Sequence, residues 1–191
     1  MEQLFNSEKR NLVERYMRMK DFYWTLKHDT SLRDNPEYDP DAFWLNSFNT
    51  ELELLKKKHG ISDKDNPTKY SWVGISPDPT VYSTMSALYE RLLELPLNNY
   101  IASVEAYTKE GYRPHIHMIL FTHHKPYRVI DKLAKHFKCE KNFVNCKNMT
   151  QFYDEKLSYI RGDKDEIGKQ QYVIQDREER EREGIPHVIE K

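Results

Sequence analysis

Cysteine is scarce in this 191-residue chain: Cys139 and Cys146 are the whole supply. Two thiols cannot staple a small secreted scaffold, and their C-x6-C spacing lacks the paired C-x2-C pattern of a zinc ribbon. Long apolar runs are missing as well. None approaches the ~18 residues needed to span a bilayer, so no membrane contact is expected. The opening residues MEQLFNSEKRN lack the apolar stretch of a signal peptide, and a soluble, intracellular setting with reduced thiols is the expectation. With six glycines, the chain has no G-x4-G-K-[ST] phosphate loop, which excludes nucleotide-triphosphate chemistry of that type. Net charge is also nearly absent. Thirty Lys/Arg stand against 31 Asp/Glu, so any nucleic-acid partner must be held by a local patch rather than a molecule-wide field.

The chain does have aromatics, 3 Trp, 13 Tyr and 8 Phe, enough to argue for a packed core despite a modest apolar fraction. There is no internal repeat and no Gly/Ser linker, and three zones follow one another. In residues 1–66, Leu4, Phe5, Leu12, Val13, Tyr16, Met19, Tyr23 and Leu26 recur at helical spacing. A turn-rich break at 29–39 is followed by Asp39 as N-cap and Pro40 at the first helical position, opening a second helix marked by Phe43, Trp44, Phe48, Leu52 and Leu55. This zone reads as a helical extension docked on the core, without ligands or a nucleophile and therefore dispensable for chemistry. Residues 67–165 alternate strand and helix signals. They run from a strand at 70–76 and a helix at 80–95 to two strands at 100–107 and 115–122, then a basic helix at 127–137, a short strand at 142–148 and a helix at 149–161. The order β-α-β-β-α-β-α matches a split βαβ, ferredoxin-like α+β domain, an antiparallel sheet with helices on one face. Residues 166–191 carry the alternating-sign run DREERERE, expected as a solvated charged helix or tail.

The informative stretch is YIASVEAYTKEGYRPHIHMIL, residues 100–120. Side chains i and i+2 of a strand share a face, so His115 and His117 project together. Two imidazoles on one strand face suit a divalent ion, with a carboxylate as the third ligand. If Lys109, Glu110 and Gly111 form the hairpin loop, Glu105 on the partner strand falls opposite His115. Glu105 also stands among Ile101, Ala102, Val104 and Ala106, where a carboxylate needs a reason to be.

Pro114-His115-Ile116-His117 resembles the His-hydrophobic-His (HUH) motif of replication-initiator endonucleases, the Rep proteins of circular Rep-encoding single-stranded DNA viruses and related plasmids. The stretch YSWVGISP at 70–77 is similar to the first motif of that family, a strand that helps hold single-stranded DNA. Glu105 stands at the place of the family's metal-binding carboxylate, and LSYIRGDK at 157–164 resembles the motif that carries the nucleophilic tyrosine. The resemblance covers residues 68–165. It implies a Mg²⁺ or Mn²⁺ ion held by Glu105, His115 and His117, and single-stranded DNA of an origin stem-loop as partner. It also implies nicking and joining through a 5′-phosphotyrosine in rolling-circle replication. Residues 166–191 would then link to a helicase domain, in a full-length protein that forms a homo-oligomer and works in the host nucleus or the cytoplasm.

Two features depart from the family pattern. About 66 residues precede the first motif, and the third motif, commonly Tyr-x-x-Lys, offers both Tyr153-Asp-Glu-Lys156 and Tyr159 with Lys164 two places late. Tyr159 is favoured as nucleophile because it precedes Ile160 and a glycine break and shares a helical face with Lys156. Tyr153 shares its face with Leu157 and Ile160, which suits burial. Either Lys164 or Lys156 would offset charge at the phenol. For DNA, Lys125, Arg128 and Lys132 belong to a run of seven cations against two acids between 122 and 148, and Tyr70, Trp72 and Tyr82 are candidates for base stacking, with Ser76 beside them. Other readings remain: a single-tyrosine transposase or relaxase, which shares the His pair, and a catalytically silent single-strand DNA-binding module built on the same sheet.

Overall fold

A computed structural model describes residues 7–28, 50, 53–54, 57, 70–122, 124–163 and 169–191. In chain order the elements are α1 (Ser7–His28), β1 (Tyr70–Ile75), α2 (Met85–Leu93), β2 (Tyr100–Thr108) and β3 (Gly111–Leu120). They are followed by α3 (Pro126–His136), β4 (Val144–Met149), α4 (Tyr153–Ile160), α5 (Gln170–Glu183) and β5 (Ile189–Glu190). Of the second helix expected at 39–59, only residues 50, 53–54 and 57 are described, and these are helical; Leu4, Phe5 and Lys164 lie outside the described residues.

The sheet is antiparallel throughout, with strand order β4-β1-β3-β2-β5. Its first four strands have the arrangement of a ferredoxin-like α+β fold. Period-two alternation sorts each strand into two faces. One face carries Val73, Ile75, Ala102, Val104, Ile116, Met118, Leu120, Val144 and Cys146, which pack with Met85, Leu88 and Leu92 of α2 and Val129, Leu133 and Phe137 of α3. Fully burying one such leucine is worth about 1.5–3 kcal/mol. The Thr84 hydroxyl caps α2 by accepting from the Ala87 N–H at 3.1 Å. That cap starts α2 five residues later than its expected bound and leaves Val81 outside it, 50% exposed.

The expectation of helices on one face is corrected. On the opposite face, Tyr70, Ile101, Ile119 and Phe121 pack with Met17 of α1 and Tyr153, Leu157 and Ile160 of α4. Apolar residues on both strand faces require cover on both sides. α1 is tied to α4 by polar contacts too. The Asp21 carboxylate accepts from the Phe152 N–H (2.6 Å) and the Tyr153 N–H (2.7 Å), at the positive end of the α4 dipole. Arg18 pairs with Asp154 at 3.1 Å. The docking expected of the extension is present for α1, which caps the tyrosine-bearing helix.

The solvated tail is also corrected. α5 lies against β2 with Asp176, Glu179 and Arg180 buried, and the chain then adds β5 to the sheet edge, pairing Ile101 with Glu190 and Ala102 with Ile189. Alternating charge along a helix predicts solvent exposure only where no backbone waits for a partner. Here an open strand edge supplies one. No helix among the described residues is long and apolar enough to cross a membrane.

Candidate metal centre

The hairpin turns through Lys109 and Glu110, with Thr108 paired to Gly111. Gly111 has φ +110°, a conformation that side chains resist, and the Thr108 hydroxyl donates to its carbonyl at 2.9 Å. This turn is one residue shorter than the Lys109–Gly111 loop expected from the sequence. Continued without interruption, its register would set Glu105 against Pro114 and turn its side chain to the face opposite His115 and His117. A β-bulge between Glu105 and Tyr107 inserts one residue, and Glu105 pairs with His115 after all. The facing expected from the sequence is present, and its cause is the bulge.

Among the described residues, Glu105, His115 and His117 form the group whose His, Cys or carboxylate donor atoms converge as metal ligands would, all within 4.8 Å of one another. Glu105 Oε2 lies 3.4 Å from His115 Nε2 and 3.7 Å from His117 Nε2. Around an ion bonded at about 2.1 Å, neighbouring donors sit roughly 3.0–3.5 Å apart, so the pocket fits a small divalent cation with minor adjustment. Two further features favour that chemistry. The Glu105 carboxylate is only 4% exposed, and a buried carboxylate needs a positive partner. Its other oxygen, Oε1, accepts from the Ser103 hydroxyl at 3.3 Å. His115 Nδ1 stands 2.8 Å from the Arg113 carbonyl; donation of an N–H there leaves Nε2 with the lone pair that ligation requires. One carboxylate and two imidazoles suit hard or borderline ions such as Mg²⁺ or Mn²⁺. Cys139 and Cys146 are free, and burial pushes both thiols up, so neither offers a reactive thiolate.

The two candidate tyrosines have different surroundings. The Tyr159 ring lies 4.9 Å from that of His117 and 5.8 Å from that of Trp72, half-buried at the edge of the donor cluster. Trp72 in turn stacks on His117 at 5.6 Å with an interplanar angle of 11°. Tyr153 is wholly buried, packed edge-on against Tyr70 at 5.5 Å and tilted on Phe121 at 6.2 Å. Burial drives its hydroxyl well above the usual phenol range. Lys156 Nζ sits over the Trp72 ring at 5.7 Å and pairs with Glu155. Lys164 lies outside the described residues.

The expected DNA contacts divide. Trp72 and Ser76 line a groove of about 450 Å³ with Gly74, Arg113, His117, Asn142, Phe143 and Asn145. Tyr70 does not reach it. Its ring is 1% exposed and its hydroxyl donates to the Gln151 carbonyl at 2.9 Å, so Tyr70 is core, as is Tyr82 against Phe137. Arg128 and Lys132 belong to α3 and Lys125 immediately precedes it; the apolar stripe of that helix packs on the other sheet face, so the structure does not bring them to His115 and His117. Arg113 and Asn145 were missed by sequence reasoning, and Lys147 was counted only as one cation of the basic run. β4 pairs Lys147 with Trp72 and Asn145 with Gly74, and alternation along β4, anchored by buried Val144 and Cys146, was the available signal. Lys169, whose Nζ lies 5.9 Å from the Tyr159 ring, carried no local signal. Comparison with protein-family models, curated proteins and solved structures finds no match for this chain.

Proposed function

We propose that this protein is a metal-dependent, HUH-type enzyme that nicks and rejoins single-stranded DNA at a replication origin through a tyrosine–DNA intermediate. The observation that carries the proposal is the convergence of Glu105, His115 and His117 on one sheet face with the Tyr159 ring 4.9 Å from His117. The three ligands would hold Mg²⁺ or Mn²⁺, which supplies Lewis-acid polarisation of the scissile phosphate. The chain's own residues do the rest. His115 and Glu105, fixed by the Arg113 carbonyl and Ser103, keep the donor atoms oriented. The Tyr159 oxygen attacks phosphorus, the bond to the 3′ oxygen breaks, and that oxygen leaves as a hydroxyl. The 5′ phosphate stays on the tyrosine, and because the ester retains the bond, an incoming 3′-hydroxyl can reverse the step and join strands. Lys156 and Lys169 place positive charge beside Trp72 and Tyr159, where a phosphate crossing the groove gathers negative charge.

Incubation with Mn²⁺ and a 3′-labelled single-stranded oligonucleotide library of randomised sequence should transfer label to the protein. His117→Ala or excess EDTA should abolish that transfer while the far-ultraviolet circular dichroism stays unchanged. Binding without any cleavage would favour the silent module, and label transfer undiminished in EDTA would remove the metal role.

A further inference from the structure

We infer that Asp176 is a positioning residue, whose carboxylate holds the β2 bulge and thereby sets the metal-ligand geometry of Glu105. The inference rests on the metal-site reading above and concerns a residue 71 positions away in sequence, on a different element.

Successive N–H groups of a regular strand point to opposite edges. At the bulge, the consecutive N–H groups of Ala106 and Tyr107 instead converge on one atom. Asp176 Oδ1 accepts from Ala106 at 2.7 Å and from Tyr107 at 3.0 Å. Asp176 is 1% exposed, so these bonds form away from water, where leaving the donors unpaired is costly. β5 and the Lys191 that follows it cover Tyr100, Ile101 and Ala102 on this edge. Beyond it α5 takes over as a side-chain substitute for a strand. One turn on, and on the same helix face, Arg180 donates to the Val104 carbonyl at 2.8 Å. Glu179 bonds the Tyr112 hydroxyl, tying the same helix to β3. Backbone groups of Val104, Ala106 and Tyr107 are thus held on either side of Glu105.

The bulge decides whether Glu105 faces the histidines or the opposite core. Without the Asp176 acceptor, the regular register competes, and it would take Glu105 off the cluster. Burial raises the Asp176 carboxyl above its ordinary range, and the two N–H donors oppose that shift.

The experiment uses the full chain, isothermal titration with MnCl₂, and amide hydrogen exchange of Ala106 and Tyr107 by NMR. The wild type should bind Mn²⁺ and protect both amides. Asp176→Ala should lose that protection and bind Mn²⁺ ten- to a hundredfold more weakly, the usual effect of removing a group that orients a ligand. Asp176→Asn keeps a carbonyl oxygen at the same place and should retain affinity within about threefold together with the protection. A folded Asp176→Ala chain with wild-type affinity overturns the inference. So does a folded Asp176→Asn chain that loses tenfold or more, and that arm decides the matter if the alanine variant does not fold. A wild-type chain that binds no Mn²⁺ but protects both amides overturns the metal reading, and with it the role assigned to the clamp.

Discussion

Replacing Tyr159 by Phe should abolish both nicking and the covalent protein–DNA band, while Tyr153→Phe should leave most of each. The substitution removes one oxygen and keeps the ring, so no cavity opens. Tyr159 is half-buried and its ring contacts are with His117 and Trp72. Its loss of hydroxyl should shift stability by roughly 0.5–1.5 kcal/mol, or about 1–6 °C in a chain of this size. Loss of an attacking group, by contrast, costs on the order of 10⁵–10⁶-fold in rate, beyond detection in a gel assay. Tyr153 shows the opposite profile. Its ring is wholly enclosed by Tyr70, Phe121 and α1, and Tyr153→Ala should cost about 3–5 kcal/mol, lowering the melting temperature by roughly 6–20 °C. Six residues separate the two positions, about 600° of helical rotation, which leaves them some 120° apart. They cannot share the site without rebuilding α4. The assay is label transfer from the 3′-labelled library in Mn²⁺, followed by mass spectrometry of the adduct peptide. A nucleotide found on Tyr153, or a label that transfers only from the 5′ end, would refute the assignment of nucleophile or polarity.

Two further outcomes follow from contacts outside the centre. Asp21→Ala removes the carboxylate that caps α4 from α1 and should lower stability by about 0.5–2 kcal/mol, read by denaturant titration; an unchanged midpoint would show that α1 does not cap α4 in solution. Burial holds the His136 imidazole below its ordinary pKa, and its Nε2–H donates to the Arg91 carbonyl at 2.8 Å. The folded chain then binds fewer protons than the unfolded one as pH falls below ~6.5, so stability present above that pH should be lost toward the lower folded value. Melting curves from about pH 7.5 to 5.5 should show a steeper decline for wild type than for His136→Gln, and parallel declines would refute the buried neutral histidine.

The Pro114-His-Ile-His117 strand, the hairpin before it and the helix–strand alternation were legible in the sequence because they are local. Period two alone makes His115 and His117 neighbours, and the turn residues mark the hairpin that sets Glu105 on the adjacent strand. The α4 face pattern, Tyr153 with Leu157 and Ile160, already marked one tyrosine for burial, and the structure places it there. Tyr70 defeated the same logic. An aromatic on a strand near a binding motif looks like a stacking platform, and only the packing of α1 and α4 on that face decides that it is core. The cations of α3 did not reveal which sheet face that helix covers either, because charge along a helix carries no such information; its apolar stripe, packed on the face away from His115 and His117, decides it.

The set of chemical groups, and the strand that aligns two of them, follow from local sequence, since side-chain periodicity is a property of the backbone at short range. Whether Glu105 joins them depends on packing between distant segments. A two-residue turn would send it to the wrong face, one bulged residue brings it back, and the acceptor for that bulge comes from Asp176 on α5. A register error of one residue inverts a strand, and no local pattern reveals which distant side chain will prevent it.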